Sequence, residues 1–327
     1  MKRVNLIAWD NGFGLTRNLR LLTEALQASG HRVDITAFRR GKLRKWSREL
    51  SGWARSGWRR LRGASHTFDV NLMLEHVRPE YASLARRNVL LPHPEWFLAK
   101  DRDAFGAIDE VFALTHHALP LFAALGKPVR YVGFTSEDRR DAAVPRERAF
   151  FHLAGRSQNK GTEPLLALWR RHPEWPLLTV VQNPRVAKPG PPAANIRHLV
   201  DYVSDAELKR LQNAHRFHLC PSETEGFGHY LVEAMGIGAV TITLDAAPMN
   251  EMVTPERGLH VRPARTGTQN LATTYFFDDA AMSTAIERAI AMPDAEAERI
   301  GAAARAWYEE NDRAFRHQIG AAVETLG

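Results

Sequence analysis

The sequence has little cysteine and lacks long hydrophobic runs. Cys220 is the single cysteine in 327 residues, so the chain can form no internal disulfide, and we expect neither redox chemistry nor a cysteine-based metal site. Its setting, RFHLCPS, is typical of a buried strand. No apolar run approaches the ~20 residues that cross a bilayer, and the start, MKRVNLIAWDNG, passes from two basic residues into a strand-like run rather than a signal peptide. We therefore expect a cytoplasmic protein.

Positive charge is distributed unevenly along the chain. The formal net charge is +7, and residues 39–62 hold ten Lys or Arg against one acid, Glu49. The Leu and Trp residues of this segment recur at helical spacing, which predicts an amphipathic basic helix. Two interpretations stay open: the helix docks on an anionic membrane surface, or its apolar stripe packs on the N-terminal sheet. We expect no nucleic-acid partner, because no recognised nucleic-acid module surrounds the segment.

Strand-like and helix-like segments alternate in two similar halves. The strand-like segments are RVNLIAWD, RVDITAF, FDVNLML, NVLLPH and DEVFALT in the first half, and AFFHLAG, LLTVVQ, NIRHLV, RFHLC and AVTITL in the second. A turn-rich, charged stretch, residues 133–148, separates the halves, and the tail is helical. The alternation predicts an α/β fold of two Rossmann-like, doubly wound domains facing a cleft. We place them at residues 1–143 and 144–310, with a C-terminal helix, residues 311–327, returning to the first domain.

Two spaced glutamates mark a candidate ligand site in PSETEGFGHYLVEAMGIGAV, residues 221–240. Gly226 and Gly228 let the backbone approach a ligand, and the helix that begins near His229 points its first N–H groups at the same place, which suits an anion. Glu225 and Glu233 can both face the edge of the sheet there, and a carboxylate accepts two hydroxyls of a ribose or a sugar. The alternative is that Glu225 caps the helix and Glu233 is a solvated or ion-paired helix residue.

The same segment resembles the Glu-x7-Glu signature of retaining GT-B glycosyltransferases, family 4 in particular. LAGRSQNKG resembles the family's G-R-x-x-x-x-K-G element, and VSDAELKRLQNAHRFHLCPS and DAAPMNEMV resemble the segments on either side of the signature. The resemblance is specific over residues 150–255 and loose in the N-terminal half. The chain departs from it at His229 and Tyr230, where Leu-Pro is common, and at Ala239, where proline is usual. The matching positions are Pro221, Ser222, Glu225, Gly226, Phe227, Gly228, Glu233, Ala234, Met235, Gly238 and Val240.

The resemblance implies a GT-B fold and transfer of a sugar from a nucleoside diphosphate sugar to an acceptor hydroxyl with retention of configuration. The leaving phosphate takes the acceptor's proton, and no metal or other cofactor is implied. Glu233 would hold the ribose, Glu225 would lie beside the donor sugar, and Arg156 and Lys160 would clamp the diphosphate. The alternative for the two cations is a surface position at a helix start. The other donor contacts would come from Gly226, Phe227, Gly228, His229 and Tyr230, with Tyr202 and Val203 near the base.

The N-terminal half contributes weaker candidates. Gly12 and Gly14, in DNGFGL, follow a predicted strand and open a helix, where the family usually has adjacent glycines facing the donor. A tight turn without ligand contact is the alternative. His93, in NVLLPHPEW, resembles a family histidine beside the donor sugar, although a structural loop histidine is equally compatible. Glu95 is a secondary candidate for an acceptor contact.

Other signals point away from metal chemistry. Asp101 and Asp103 form an Asp-x-Asp pattern, but they open a helix-like segment, so we expect a helix cap. His116 and His117 are adjacent, which turns their rings apart on a helix. The expected partners are a nucleotide sugar and a lipid-linked or cell-envelope glycan. The alternative function is non-catalytic nucleotide-sugar binding or membrane docking with a degenerate acceptor half. A phosphorylase-like enzyme would need a pyridoxal phosphate lysine context, which we do not find.

Overall fold

A computed structural model describes residues 1–9, 14–38 and 66–327. The chain divides into two compact units: unit 1 comprises Met1–Phe134 and Asp312–Gly327, and unit 2 comprises Thr135–Asn311. The unit boundaries lie at residues 134/135 and 311/312. The boundaries predicted from the sequence are 143/144 and 310/311. Gly12 and the basic segment 39–62 lie outside the described residues, so both interpretations of that segment stay predictions.

Unit 1 is built on a parallel six-stranded sheet in the order β2-β1-β3-β4-β5-β6. Its strands are β1 (Arg3–Trp9), β2 (Arg32–Phe38), β3 (Phe68–Leu74), β4 (Ala85–Leu91), β5 (Glu110–Ala113) and β6 (Val129–Tyr131). Its helices are α1 (Gly14–Ala28), α2 (Ala99–Asp103) and α3 (Ala118–Ala123), with 3₁₀ turns at Pro79–Leu84, Pro94–Trp96 and Phe105–Ala107. The inner strands β1 and β3 bury runs of consecutive residues, as expected for strands covered on both faces.

Three asparagines cross the middle of this sheet in register. Asn5, Asn71 and Asn88 are paired along β1, β3 and β4. The Asn5 amide donates to Asn71 Oδ1 over 3.0 Å, and the Asn71 amide donates to Asn88 Oδ1 over 2.8 Å. A buried amide without partners is costly, so this mutual satisfaction favours one strand register over a shifted one.

Unit 2 is built on a second parallel six-stranded sheet, in the order β12-β11-β10-β7-β8-β9. Its strands are β7 (Glu147–Gly155), β8 (Leu178–Gln182), β9 (Ile196–Leu199), β10 (His215–Cys220), β11 (Val240–Leu244) and β12 (Gly258–Val261). A separate antiparallel hairpin is formed by β13 (Pro263–Gln269) and β14 (Ala272–Phe277). The helices are α4 (Thr162–Arg170), α5 (Asp205–Ala214), α6 (His229–Gly236), α7 (Met249–Met252), α8 (Asp279–Ala291) and α9 (Asp294–Glu324).

The two doubly wound α/β sheets confirm the predicted fold class. Cys220 ends β10 and is buried, as expected, and burial raises the pKa of its thiol. The last helix, α9, is 31 residues long and ends within unit 1. No helix in the described ranges is both long and apolar enough to cross a membrane.

Buried histidines in unit 2 predict a loss of stability in acid. His152 and His218 are fully buried, and burial lowers their pKa values to about 4 and about 3. Below pH 6.5, the ordinary histidine pKa, these histidines bind protons in the unfolded chain but not in the folded chain. The free energy of unfolding therefore decreases as the pH is lowered, by roughly 2 kcal/mol per histidine between pH 6.5 and pH 5. Urea unfolding at pH 7 and pH 5 measures the change.

A variant pair separates this effect from general acid sensitivity. His218→Gln should flatten the pH dependence of the unfolding free energy. His66→Gln, at an exposed position, should leave it unchanged. An identical slope in wild type and His218→Gln would contradict the assignment.

Candidate functional site

The loop of residues 221–228 joins the end of β10 to the start of α6 and is shaped by Gly228. This glycine precedes the helix with φ of 93°, in the left-handed region. A Cβ atom there would lie 2.7 Å from the Leu231 side chain and 3.5 Å from the Glu225 side chain. The backbone angle strongly favours glycine, which explains the Gly at this point of the motif.

Glu225 is held in a cluster of polar side chains. The Lys160 ammonium and the Ser222 hydroxyl both donate to Glu225 Oε1. The side chains of Glu225 and Lys160 are 13% and 14% exposed, so the ion pair is largely shielded but still open to a ligand. The Lys160 Nζ lies 3.6 Å from the centroid of the Tyr230 ring, a cation–π contact.

Tyr230 closes this cluster from the first turn of α6. Its hydroxyl lies 2.5 Å from Ser222 Oγ. Burial, with the neighbouring Cys220 and Glu225, holds the pKa of Tyr230 well above its usual range. The phenol is therefore neutral, and it donates to Ser222 while Ser222 donates to Glu225. Tyr230 stands at a position where this chain differs from the family motif. Through Ser222 it fixes the position of Glu225, the first glutamate of the motif.

Lys160 reaches Glu225 because two loops touch. The loop of residues 156–161 follows β7 and ends at Gly161, which has φ of 64°. A Cβ atom on Gly161 would lie 2.6 Å from the carbonyl oxygen of Pro221, so the close approach requires glycine. The Glu223 N–H also donates to the Asn159 carbonyl over 2.8 Å. These contacts between the two loops bring the Lys160 ammonium to the Glu225 carboxylate.

Glu233 lies on the buried side of α6 and is positioned from outside the motif. Its side chain is 1% exposed, and Glu233 Oε2 accepts a hydrogen bond of 2.8 Å from the Gln212 amide. Gln212 Oε1 in turn accepts from Arg139 Nε over 2.6 Å. Arg139 is itself buried and pairs with Asp205 Oδ1 at 3.0 Å. The chain from Arg139 through Gln212 fixes the orientation of the Glu233 carboxylate.

The remaining predicted residues of unit 2 occupy different environments. Arg156 is exposed just after the end of β7. His229 Nδ1 contacts the Ser136 hydroxyl at 2.8 Å, and its ring meets that of Phe227 edge-on. Tyr202 is 90% exposed, whereas Val203 packs on a small apolar cluster at Phe151, Val181 and Leu211. Gly226, like Phe227, is buried in the 221–228 loop.

The candidates of the N-terminal half lie in unit 1. Gly14 is the first residue of α1. His93 follows β4 and lines a pocket, with its Nδ1 3.9 Å from Glu75 Oε1. Glu95 is buried in the 3₁₀ turn Pro94–Trp96. His93 therefore has a carboxylate neighbour that the sequence did not indicate.

The Asp-x-Asp pattern has a structural role. Asp101 accepts hydrogen bonds from the backbone N–H groups of Leu98 and Val77, each over 3.0 Å, and from His76. Burial acts to raise the pKa of Asp101, but these bonds outweigh it and hold the pKa below its usual value. His116 stacks on the ring of Tyr131. In the part of the chain that the structure describes, no group of three His, Cys, Asp or Glu side chains could hold a metal ion.

Comparison with known proteins places this geometry in a fold family. Residues 194–307 match the family described as glycosyl transferases group 1. Among solved structures, sucrose-phosphate synthase from Thermosynechococcus elongatus is 16% identical, with a TM-score of 0.71 over 100% of this chain and 99% of that one. Anabaena HepE, solved with UDP and glucose, is 13% identical, with a TM-score of 0.71 over 100% of both chains. The fold is that of GT-B glycosyltransferases.

The lipopolysaccharide outer core galactosyltransferase WaaB is 15% identical, with a TM-score of 0.69 over 98% of this chain and 100% of that one. No curated protein matches the sequence. The matched family region includes Gln212, Glu225, Glu233 and α6, but Lys160 and Arg139 lie outside it.

Three residues of these sites were missed from the sequence. Gln212 and Arg139 lie 73 residues apart and meet only through the fold, so no local pattern indicates their hydrogen bond. Glu75 follows a predicted strand, and a carboxylate at the carboxyl end of a parallel strand is the one signal that could have drawn attention to it.

Proposed function

We propose that this protein is a retaining glycosyltransferase of family 4 that uses a nucleoside diphosphate sugar. The observation that carries the proposal is the shielded Lys160–Glu225 pair beside the helix that carries the buried Glu233. A cation next to a loop with closely approaching backbone suits a diphosphate, and two carboxylates suit hydroxyl groups. The group 1 family match and neighbours solved with UDP-sugars support a nucleotide sugar as donor.

Each residue then has a role in the reaction. Glu233, oriented by Gln212, accepts hydrogen bonds from the ribose hydroxyls. Lys160 and Arg156 neutralise the charge that builds on the diphosphate as its bond to the anomeric carbon breaks. The acceptor oxygen bonds to the anomeric carbon from the same face, and its proton passes to the leaving phosphate. Glu225, held by Lys160 and Ser222, lies beside the donor sugar.

The remaining donor contacts follow the motif. The backbone at Gly226, Phe227 and Gly228 approaches the donor sugar. His229 and Tyr230 line the side of the donor site, at the positions where the family commonly has Leu-Pro. We assign the base to the exposed Tyr202 and its neighbour Val203, and a sugar contact to His93. We assign a donor contact to Gly12 and Gly14, before and at the start of α1. The reaction needs no metal or cofactor, so turnover should persist in EDTA.

The proposal is tested first by nucleotide binding. Thermal unfolding of wild type should shift upward with one nucleoside diphosphate and its sugar conjugate in a panel of uridine, guanosine, adenosine and thymidine compounds. The shift should be selective for one base. Incubation of that donor with wild type should release the free diphosphate, and Glu225→Gln should slow the release. Binding without any release would favour the non-catalytic alternative, and the absence of any shift would count against the donor assignment itself.

We further propose that the acceptor is a lipid-linked or cell-envelope glycan, reached through docking of residues 39–62 on an anionic membrane. The support is the ten basic residues of that segment and its apolar stripe. Charge reversal at Arg59 and Arg60 should abolish co-sedimentation with vesicles containing anionic lipid, while wild type should not sediment with neutral vesicles. Retained sedimentation would contradict the docking, and loss of folding would favour packing of the segment on the sheet.

A further inference from the structure

The hairpin of β13 and β14 forms a two-stranded sheet of its own in unit 2. It begins at Pro263, just after β12, and ends at Phe277, just before α8. Gln269 lies opposite Ala272 at the tip, and Asn270, with φ of 54°, begins the turn between them. Asparagine tolerates this left-handed backbone better than most residues do. The tip of the hairpin is therefore a tight, ordered turn.

The tip of the hairpin contacts the loop of residues 156–161. The Asn159 side-chain amide donates to Gln269 Oε1 over 2.8 Å, in a partly buried position. The two residues are 110 positions apart in the chain. The Asn159 backbone N–H donates to the Ser157 hydroxyl over 3.1 Å. Because Lys160 follows Asn159 directly, the hydrogen bond to Gln269 fixes the backbone from which the lysine side chain extends.

The second strand of the hairpin contacts the place where the two donor-site loops meet. The Tyr275 N–H donates to the Glu223 carbonyl over 2.7 Å, and the Glu223 N–H donates to the Asn159 carbonyl over 2.8 Å. Through its own backbone, Glu223 thus links β14 to the loop of residues 156–161. A Cβ atom on Gly161 would lie 3.4 Å from the Phe277 ring, so β14 also borders the end of that loop.

Opposite charges strengthen the contact between the hairpin and the loop of residues 221–228. The Arg265 guanidinium carbon lies 3.6 Å from the centroid of the Phe276 ring, a cation–π contact within the hairpin. Partial burial raises the pKa of the Glu223 carboxyl, and the positive charge of Arg265 acts in the opposite direction. Attraction between Arg265 and Glu223 therefore adds to the backbone hydrogen bond from Tyr275.

The hairpin thus holds both loops that carry the ion pair of Lys160 and Glu225. A lysine ammonium lies at the end of a flexible four-carbon stem, so its place depends on a fixed backbone and fixed neighbours. A group that is misplaced by ~1 Å from the charge it stabilises can cost ~10²-fold in rate. A loosened loop at Asn159 should therefore lower the rate through Lys160.

We infer that the β13–β14 hairpin is a positioning element of the transfer reaction, in which Gln269 and Asn159 are positioning residues for Lys160. This rests on the proposed function, in which Lys160 neutralises the charge of the leaving diphosphate. Gln269 acts through the Asn159 side chain, so its role needs no contact with the donor. The contacts that carry the inference all lie within unit 2.

The kinetic test compares Gln269→Leu with wild type, by release of diphosphate from the nucleotide sugar that the protein binds. The substitution nearly keeps the side-chain volume and removes the acceptor, so kcat should fall ~10-fold with KM nearly unchanged. Gln269→Glu keeps an oxygen acceptor for the Asn159 amide and should retain the wild-type kcat. In the Lys160→Met background, Gln269→Leu should cause no further loss, because the lysine that it positions is already absent.

Amide hydrogen exchange gives a second readout that needs no turnover. In Gln269→Leu, peptides that cover residues 156–161 and 221–228 should exchange ~10-fold faster than in wild type, while peptides from β8 should exchange at the wild-type rate. Gln27→Leu makes the same substitution on the exposed surface of α1 and should match wild type in both measurements. If Gln269→Leu does not fold, Gln269→Asn takes its place, because its shorter side chain withdraws the acceptor from Asn159.

The two readouts distinguish failure of the positioning role from failure of the proposed function. Faster exchange in both loops, with no turnover in wild type, would support the hold of the hairpin on the loops and contradict the proposed reaction. Wild-type exchange in Gln269→Leu would overturn the inference. Faster exchange with a wild-type kcat, or the same fold loss of kcat in the Lys160→Met background, would also overturn it, because the hairpin would then not act through the lysine.

Discussion

Glu233→Ala is expected to weaken binding of the nucleoside diphosphate and its sugar conjugate by ~10-fold to 100-fold, or roughly 1–3 kcal/mol. The carboxylate is 1% exposed and pre-oriented by Gln212. Its hydrogen bonds to ribose would form in a site shielded from solvent, where an unsatisfied polar group is costly. Isothermal titration calorimetry with the nucleotide selected by the thermal panel gives the ratio of dissociation constants.

Controls separate a binding effect from damage to the fold. Removal of Glu233 also leaves the buried Gln212 amide without its acceptor, so Glu233→Gln, which keeps an oxygen acceptor in place, should fold as wild type and still bind more weakly. Glu298→Ala removes an exposed carboxylate from α9 and should leave affinity unchanged. Equal affinity of wild type and both Glu233 variants would eliminate the ribose assignment.

Lys160→Met is expected to lower kcat by ~10²-fold to 10³-fold, the effect of removing one group aimed at charge that develops in the transition state. The diphosphate gains negative charge as its bond to the sugar breaks, and a shielded cation stabilises that charge more than a solvated one does. The affinity for the nucleoside portion should change much less. Steady-state kinetics of wild type and Lys160→Met separate kcat from KM.

The direct contact between Lys160 and Glu225 adds a second expectation. Because the two groups share one ion pair, the double variant Lys160→Met with Glu225→Gln should lose less activity than the product of the single losses. Lys188→Met, at an exposed lysine of the same unit, should behave as wild type. Multiplicative losses in the double variant would mean that the two residues act independently.

The sequence predicts the strand-loop-helix order around residues 221–240 because its signals are local. The Glu-x7-Glu spacing, the glycines and the strand-turn-helix order all lie within twenty residues, and local geometry alone places Glu225 in a loop and Glu233 on the following helix. The ion pair of Lys160 with Glu225 could not be predicted in this way, because it depends on the contact of Gly161 with Pro221, in two loops far apart in sequence. Roles for these residues stay predictions.

The elements that were missed have weak or misleading patterns. β6 has three residues, all only partly buried, so it offers neither length nor alternation. β13 contains Pro263 and Gly267, residues that are depleted in strands, yet it pairs with β14 as a hairpin outside the main sheet. The left-handed backbone at Glu75, with φ of 66°, is invisible in a sequence, because nothing in the neighbouring residues requires a positive φ there.

The anomeric configuration of the first product decides whether this protein transfers a sugar with retention. A ¹H NMR time course of wild type with the selected nucleotide sugar, and with water or a simple glycoside as acceptor, follows the anomeric proton while the diphosphate is released. We expect release of the diphosphate and a first-formed product with the anomeric configuration of the donor. A first-formed product of the opposite configuration, or no release from a donor that the protein binds, would contradict it.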